Sequence, residues 1–189
     1  MRLLAVFAWL WVLTGSAAAD QYDDAISEAF PGHRIVQPSE RDLLKEHMHP
    51  RDYEKARKAP AVVVGRFNHD EFEDFAAYIL DPASKRRTGP LPERFPDGVD
   101  TYSGGLAVCF GRGGGRYRCQ RVPPEGVLIP PPWYLERIPP REQVCPTDHD
   151  RRNTIRLTTD ALAERPMLGN ADRVLIFQPD ESLLECTFD

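Results

Sequence analysis

One polar loop carries side-chain oxygens at spacings that are typical of a calcium site. A calcium loop of this outline takes oxygen ligands at its first, third, fifth and ninth positions, and a glycine at the sixth allows the tight turn. In this loop, residues 66–74 (the acidic loop), those positions hold Arg66, Asn68, Asp70 and Asp74, with Glu71 at the sixth. We predict that Arg66 replaces the ion as an internal counter-charge to Asp70 and Asp74, with weak calcium binding as the alternative.

A serine and a later histidine with flanking aspartates are residues that a hydrolase would use. Ser103 precedes two glycines, and His149 with Asp148 or Asp150 would supply a base and its orienting acid. However, Thr101 stands where the nucleophile elbow G-x-S-x-G requires glycine. Adjacent side chains also rarely converge on one metal ion, so a solvated loop is the simpler interpretation of residues 148–150.

Two shorter motifs favour structural explanations over chemical ones. His47 and His49 are two residues apart, so on a helix they point in different directions and form a metal pair only in an extended segment. The glycine-rich run Gly111–Gly115 leads into Arg116 and Tyr117, whereas a P-loop continues as Gly-Lys-Ser/Thr into a helix. We therefore expect surface histidines and a hairpin turn.

Four cysteines indicate a disulfide framework. An even number of cysteines in an exported chain is typical of disulfides, although the sequence allows three connectivities. We favour Cys109 with Cys119 and Cys145 with Cys186, because the first two residues lie equally far from Gly114 and can face each other across a hairpin. A reactive thiol is the alternative.

The N-terminus has the features of a secretory signal peptide. Arg2 precedes the apolar segment Leu3–Leu13, and Ala17–Ala19 provide an A-x-A cleavage site. The apolar segment is shorter than the ~20 residues that a membrane span needs, and no later stretch reaches that length. We expect cleavage after Ala19, a single domain at residues 20–189, and a periplasmic or secreted location.

The charge of the chain argues against two classes of partner. The formal net charge is −5 at pH 7, and the longest basic run is Lys85–Arg87. Nucleic acids and anionic lipids are bound by basic patches, so neither is expected here.

Hydrophobic patterning predicts the elements that position these residues. Apolar residues at spacings of three and four indicate helices at Tyr22–Phe30 and from Ser39 onward, and a third helical turn is expected at Arg51–Lys58. Strands are predicted at 61–64, 75–80, 106–110, 117–122, 154–158, 173–177 and 183–188. The expected fold class is α+β, with N-terminal helices packed on a mainly antiparallel sheet that disulfides staple.

Proline-rich segments interrupt the predicted sheet. Residues 81–100 contain four prolines and are expected to form a loop. Residues 123–140 contain seven prolines and are expected to form an extended strap that makes no regular ladder. Trp133 and Tyr134 would then either bury the strap against the core or present an aromatic surface to a partner.

The stretch AVVVGRFNHDEFEDFAAYIL, residues 61–80, resembles the core of an FG-GAP (VCBS-type) repeat. The residues that keep this pattern are Gly65, Phe67, Asn68, Asp70, Asp74 and Ala76, and those that depart from it are Arg66, His69 and Glu71. A single copy is present, so the propeller of complete members is not expected. The chain also resembles short exported proteins of Gram-negative bacteria that carry one such stretch after an F-P-G-x-R motif, here starting at Phe30. That resemblance implies a fold and a compartment only, and it does not bear on activity.

These observations favour an exported, non-catalytic binding protein of the bacterial envelope, such as an inhibitor, an immunity-type protein or an accessory factor. Its partner would be an envelope or extracellular protein. A calcium-stabilised module and a secreted hydrolase are the alternatives, and calcium is the one cofactor that the sequence suggests.

Overall fold

The structure is a computed structural model that describes residues 15–47, 49–89, 98–128, 133–147, 151–166 and 172–188. Its elements in chain order are α1 Gly15–Ala29, β1 Arg34–Ile35, a 3-10 helix Pro38–His47, α2 Pro50–Lys58, β2 Val62–Gly65, β3 Asp74–Arg87, β4 Asp100–Gly111, β5 Tyr117–Leu128, β6 Trp133–Ile138, β7 Glu142–Thr147, β8 Arg151–Arg156, β9 Ala161–Pro166, β10 Asp172–Phe177 and β11 Leu183–Phe188. The predicted apolar segment of the signal peptide and the three residues 148–150 lie outside the described residues.

The strands form two antiparallel sheets and a separate hairpin. The first sheet has the order β1-β3-β4-β5, and β2 also pairs with β3, next to β1. The second sheet has the order β11-β10-β9-β6, and β7 pairs with β8. The mainly antiparallel architecture predicted from the sequence is confirmed, but strands dominate and helices are fewer than the expected class implies.

The two sheets pack face to face around the largest apolar cluster. Alternate residues of β3 point to this interface because side chains of a strand alternate between its faces. The members that fill the interface include Ala76, Tyr78, Leu80, Val108, Phe110, Leu162, Leu175 and Phe177. Each fully buried leucine or phenylalanine contributes roughly 1.5–3 kcal/mol, so this interface is the main source of stability.

The outer face of each sheet has its own cover. On the first sheet, Ile26 of α1 packs with Phe75, Ala77 and Ile79, which are the β3 residues between those of the main interface. On the second sheet, the β7–β8 hairpin and the residues that follow it cover an apolar cluster that includes Cys145, Leu157, Ala163, Val174 and Ile176. Since the first half of β3 is buried on both faces, residues 75–80 form a continuous apolar run.

The favoured disulfide pairing is confirmed. Cys109 and Cys119 lie directly opposite each other in β4 and β5, under α1. Cys145 in β7 is joined to Cys186 in β11, so this bond ties the covering hairpin to the second sheet. One bond therefore closes a local hairpin, and the other joins segments 41 residues apart.

The N-terminal helices agree with the sequence in part. The apolar stripe of α1 is confirmed, with Ile26 fully buried on the first sheet. The second predicted helix is a 3-10 helix, which also contains His47. Pro50 begins α2, and the side chain of His49 caps α2 by accepting a hydrogen bond from the backbone N–H of Arg51.

The predictions for both proline-rich segments were wrong over most of the residues that the structure describes, whereas residues 88–89, 98–99 and 139–140 lie outside strands. Residues 81–87 continue β3, and Pro82 is tolerated because the β3–β4 register shifts between Asp81 and Arg86. Residues 123–128 continue β5, an edge strand, and residues 133–138 form β6. The strands β1, β6, β7 and β9 were not predicted. Within the described ranges, no helix is long and apolar enough to cross a membrane.

Candidate functional site

Asp74 is the residue on which the acidic loop is built. It is the first residue of β3, and its side chain is fully buried. Its Oδ2 accepts hydrogen bonds from the backbone N–H groups of Phe67 (2.6 Å) and Asn68 (3.1 Å), and its Oδ1 accepts one from Gly111 (2.9 Å). A single carboxylate therefore fixes the start of the loop to the end of β4.

Two effects on the pKa of the Asp74 carboxyl oppose each other. Burial raises the pKa of the Asp74 carboxyl, whereas the three backbone N–H donors lower it and so favour the charged form. The three donors also engage both oxygens and use three of the roughly four lone-pair sites of the carboxylate, so little acceptor capacity is left for a cation.

The other two predicted ligands are bonded to each other. Asn68 Nδ2 donates to Asp70 Oδ2 (2.8 Å), and the backbone N–H of Asp70 donates to Asn68 Oδ1 (3.2 Å). The remaining oxygen of Asp70 accepts from the backbone N–H of Phe72 (2.9 Å). These bonds close Asx-type turns, which satisfy the loop from its own backbone.

The prediction that Arg66 is the counter-charge was wrong. In the described part of the chain, its exposed side chain forms no ion pair with Asp70 or Asp74. Backbone N–H groups and the side-chain amide of Asn68 donate hydrogen bonds to those carboxylates instead. The backbone of Arg66 pairs with Asp160, donating to its Oδ2 and accepting from its N–H, both at 2.9 Å.

Phe72 lies at the exposed end of this loop. Its side chain is 37% exposed, and Leu184 is the other exposed large apolar residue of the described chain. The Phe72 ring rests on the glycine-rich turn, where a Cβ on Gly113 would lie only 2.9 Å from its Cε1. Gly113 also has a φ of +74°, which favours glycine, and a Cβ at this position would have to displace the ring.

A buried carboxylate holds that glycine-rich turn on the second sheet. Glu181 lies in the β10–β11 turn with a φ of 65°, which is unusual for a residue other than glycine. Its carboxylate pairs with Arg112 and, at 3.1 Å but without hydrogen-bond alignment, with Arg118. Gln120 Nε2 donates to the Glu181 carbonyl at 3.2 Å. The strained turn is thus tied to the first sheet by side chains from both ends of the β4–β5 connection.

The N-terminal helix supports the loop from the other side. Tyr22 of α1 donates its hydroxyl to Glu73 Oε1 (3.0 Å), and Gln21 Nε2 donates to the Tyr117 hydroxyl (2.9 Å). Burial and the neighbouring Glu73 raise the pKa of Tyr22 to about 12. The acidic loop, the glycine-rich turn, the β10–β11 turn and α1 therefore form one supported surface around Phe72, which we call the loop platform.

In the described part of the chain, no contact brings Ser103, Trp133 or Tyr134 to this platform. Ser103 lies within β4, between Asp81 and Val127, and not on a sharp turn as a nucleophile elbow requires. Its proposed partner His149 is outside the described residues. Trp133, the first residue of β6, pairs through its backbone with Pro166 of β9, and its side chain is not described.

Tyr134 is half-buried beside β9, and burial raises the pKa of its hydroxyl. The predicted aromatic surface at residues 133 and 134 therefore has one member that is partly covered. In the ranges that the structure describes, no group of three or more His, Cys, Asp or Glu side chains is arranged to hold a metal ion.

Sequence reasoning missed Phe72, Gly113 and Glu181. The acidic loop was assessed by its oxygens, so an apolar residue within it carried no signal. The run of glycines did signal a tight turn, but the ring that rests on Gly113 comes from a segment about 40 residues away in sequence. Comparison of the chain with protein-family models, curated proteins and solved structures found no match.

Proposed function

We propose that this chain is an exported, non-catalytic binding protein of the bacterial envelope, and that it binds a partner protein through the loop platform. One observation carries the proposal: Phe72 is exposed on a loop whose backbone is held by the buried carboxylate of Asp74. An aromatic side chain in a preformed position loses little conformational entropy on binding, and such residues dominate binding energy at interfaces.

Charged side chains surround Phe72 as a polar rim. Glu71 and Glu73 are exposed on the same loop, and Arg116 is exposed at the glycine-rich turn. Rim charges of this kind contribute to specificity and association rate more than to affinity. The platform thus combines an apolar centre with charges of both signs, which suits a protein partner better than a uniformly charged polymer.

Export is the second part of the proposal. The apolar segment before Ala17–Ala19 is typical of a signal peptide, and two disulfides are typical of an oxidising compartment. We further propose that the acidic loop is a degenerate FG-GAP-type loop in which backbone donors occupy the oxygens that would otherwise bind calcium. The loop would then have kept its shape and lost its ion.

The test is affinity capture with the oxidised protein, residues 20–189, from envelope extract and culture medium. Three baits are compared: the unchanged protein, Phe72→Ala, and Leu184→Ala as a control with similar exposure on the second sheet. We expect a saturable partner that Phe72→Ala loses and Leu184→Ala retains.

A fourth bait, Trp133→Ala with Tyr134→Ala, examines the surface that the sequence favoured. Loss of the partner with this bait alone would move the binding surface from the loop platform to β6. Equal capture by all four baits would reject both surfaces, and failure of the unchanged protein to capture any partner would count against the binding function itself.

A further inference from the structure

The exposed face of α1 carries acidic side chains and no basic ones. Asp23, Asp24 and Glu28 are exposed, and the helix contains neither lysine nor arginine. Among the residues with a described structure, none of these three carboxylates has a lysine or arginine partner at ion-pair distance. The carboxylates that do form ion pairs lie on other elements, for example Glu40, Glu54, Asp100 and Glu181.

This acidic face adjoins the loop platform. The Tyr22 hydroxyl of α1 donates to Glu73 Oε1 of the acidic loop at 3.0 Å. Glu71 and Glu73 are exposed on either side of Phe72 in the chain, and the ion pairs of the described residues involve neither of them. The exposed ring of Phe72 therefore lies between carboxylates of the loop and next to a helix that carries more of them.

Few cations of the platform are available to offset these carboxylates. Arg112 and Arg118 pair with Glu181. The other exposed arginines are Arg66 on the acidic loop and Arg116 on the glycine-rich turn. Two exposed guanidinium groups thus accompany five exposed carboxylates of α1 and the acidic loop, so the surface around the Phe72 ring carries a net negative charge.

The acidic residues of α1 are not placed for the stability of the helix. Asp24 and Glu28 are four residues apart, and like charges at that spacing repel each other on one helix face. Glu28 also lies in the last turn of α1, near the negative end of the helix dipole. In α2, by contrast, Glu54 pairs with Arg57 and Lys58 on the same helix. Residues that depart from the stabilising pattern in this way indicate a role outside stability.

We propose that the loop platform and the adjoining face of α1 bind a basic surface of the partner protein, with Phe72 in an apolar contact at its centre. The inference rests on the proposed function and adds the chemistry of the partner. Lysine or arginine side chains on that surface compensate the carboxylates that have no cationic partner within the chain, and complementary charge raises the association rate. The exposed ring favours a polypeptide over a metal ion, because a metal ion gains nothing from an apolar contact.

The first test is a binding titration of the folded, oxidised protein at low salt with a defined probe, a lysine-rich peptide with leucines at its centre. Two variants remove the same charge from different exposed surfaces: the α1 variant combines Asp23→Asn, Asp24→Asn and Glu28→Gln, and the control variant combines Asp52→Asn, Glu54→Gln and Glu142→Gln. We expect the α1 variant to weaken binding about tenfold and the control variant to change it less than about twofold. Equal weakening by the two variants would overturn the inference.

Phe72→Ala separates a specific contact from general electrostatic attraction. We expect this variant to bind the leucine-containing peptide more weakly than the unchanged protein does, and to bind a peptide of lysine alone equally well. The reason is that only the first peptide has an apolar group for the ring to contact. The same effect on both peptides, or no effect on either, would contradict the proposal.

The second test uses the partner that the unchanged bait captures. Its association rate is measured at low and at high salt with the unchanged protein, the α1 variant and the control variant. We expect the α1 variant to associate about tenfold more slowly at low salt, and the three rates to converge at high salt, where ions screen the charges.

The two proposals fail in different ways. A captured partner whose association rate is the same for all three proteins leaves the binding function intact and refutes the basic surface. If no partner is captured, the result counts against the binding function, and the peptide titration still decides whether the platform prefers a basic polypeptide.

Discussion

The substitution Asp74→Asn tests whether the buried carboxylate organises the acidic loop. Asparagine keeps the shape of aspartate, but it offers one acceptor oxygen and one amide nitrogen in place of two acceptor oxygens. If its oxygen takes the position that accepts from Phe67 and Asn68, its nitrogen faces the backbone N–H of Gly111. One buried donor is then left without an acceptor.

The expected cost follows from that donor. A buried N–H group without a partner costs about 1–3 kcal/mol, and the two remaining bonds lose the strength that a charged acceptor gives them. We therefore expect Asp74→Asn to lower the free energy of unfolding by about 2–4 kcal/mol. Asp74→Ala leaves all three donors unpaired, and a loss of roughly 3–9 kcal/mol would consume much of the stability of a single domain.

The assay is urea unfolding of the oxidised protein at neutral pH. The matched control is Asp180→Asn, because Asp180 also accepts hydrogen bonds, from the backbone N–H and hydroxyl of Ser182, but is exposed. We expect the control to lose less than about 1 kcal/mol, since water replaces its lost bonds. Equal stability of Asp74→Asn and Asp180→Asn would refute the role assigned to the buried carboxylate.

Three further predictions follow from the loop platform. Gly113→Ala should lower the unfolding free energy more than Gly114→Ala in urea titrations, because both positions have a positive φ but only the first would place a Cβ 2.9 Å from the Phe72 ring. Calcium at millimolar concentration should leave the melting temperature unchanged, because N–H donors already engage the loop oxygens. A rise in melting temperature on addition of calcium would instead support a calcium site in this loop. The pKa of Tyr22 is raised to about 12, so its contribution to the free energy of unfolding should be fully present below pH 10 and be lost as the pH rises from 10 to about 12. An ultraviolet absorbance titration of the unchanged protein and Tyr22→Phe measures this ionisation, and a Tyr22 midpoint near 10 would contradict the prediction.

Local patterns accounted for the elements whose neighbours in sequence are also their neighbours in space. The strands on either side of the acidic loop, the hairpin between Cys109 and Cys119, and the final strand pair are each joined by short connections. In such hairpins, the apolar spacing and the turn residues lie within one stretch of sequence. The disulfide between Cys109 and Cys119 was predicted because the two residues are placed symmetrically about the turn of the β4–β5 hairpin.

Two of the missed strands, β9 and β7, have sequences that contradict ordinary strand patterns. β9 contains Glu164 and ends at Pro166, which is unusual for an inner strand. Its carboxylate is accommodated by Tyr78 and Arg173 from two other strands, so the sequence of β9 alone gives no reason to bury it. β7 lies in a polar segment, and it forms a strand because it pairs with β8 and is tied by Cys145 to the second sheet.

For this protein, local sequence patterns were enough to favour the cysteine pairing within the β4–β5 hairpin, to predict the strands around the acidic loop, and to identify which loop residues carry oxygens. What those oxygens bind depends on tertiary contacts. The partner of Asp74 at Gly111 is 37 residues away along the chain, and the ring of Phe72 rests on a glycine from that same distant turn. A carboxylate binds whichever donor or cation the fold brings within about 3 Å, and that distance depends on how remote segments pack.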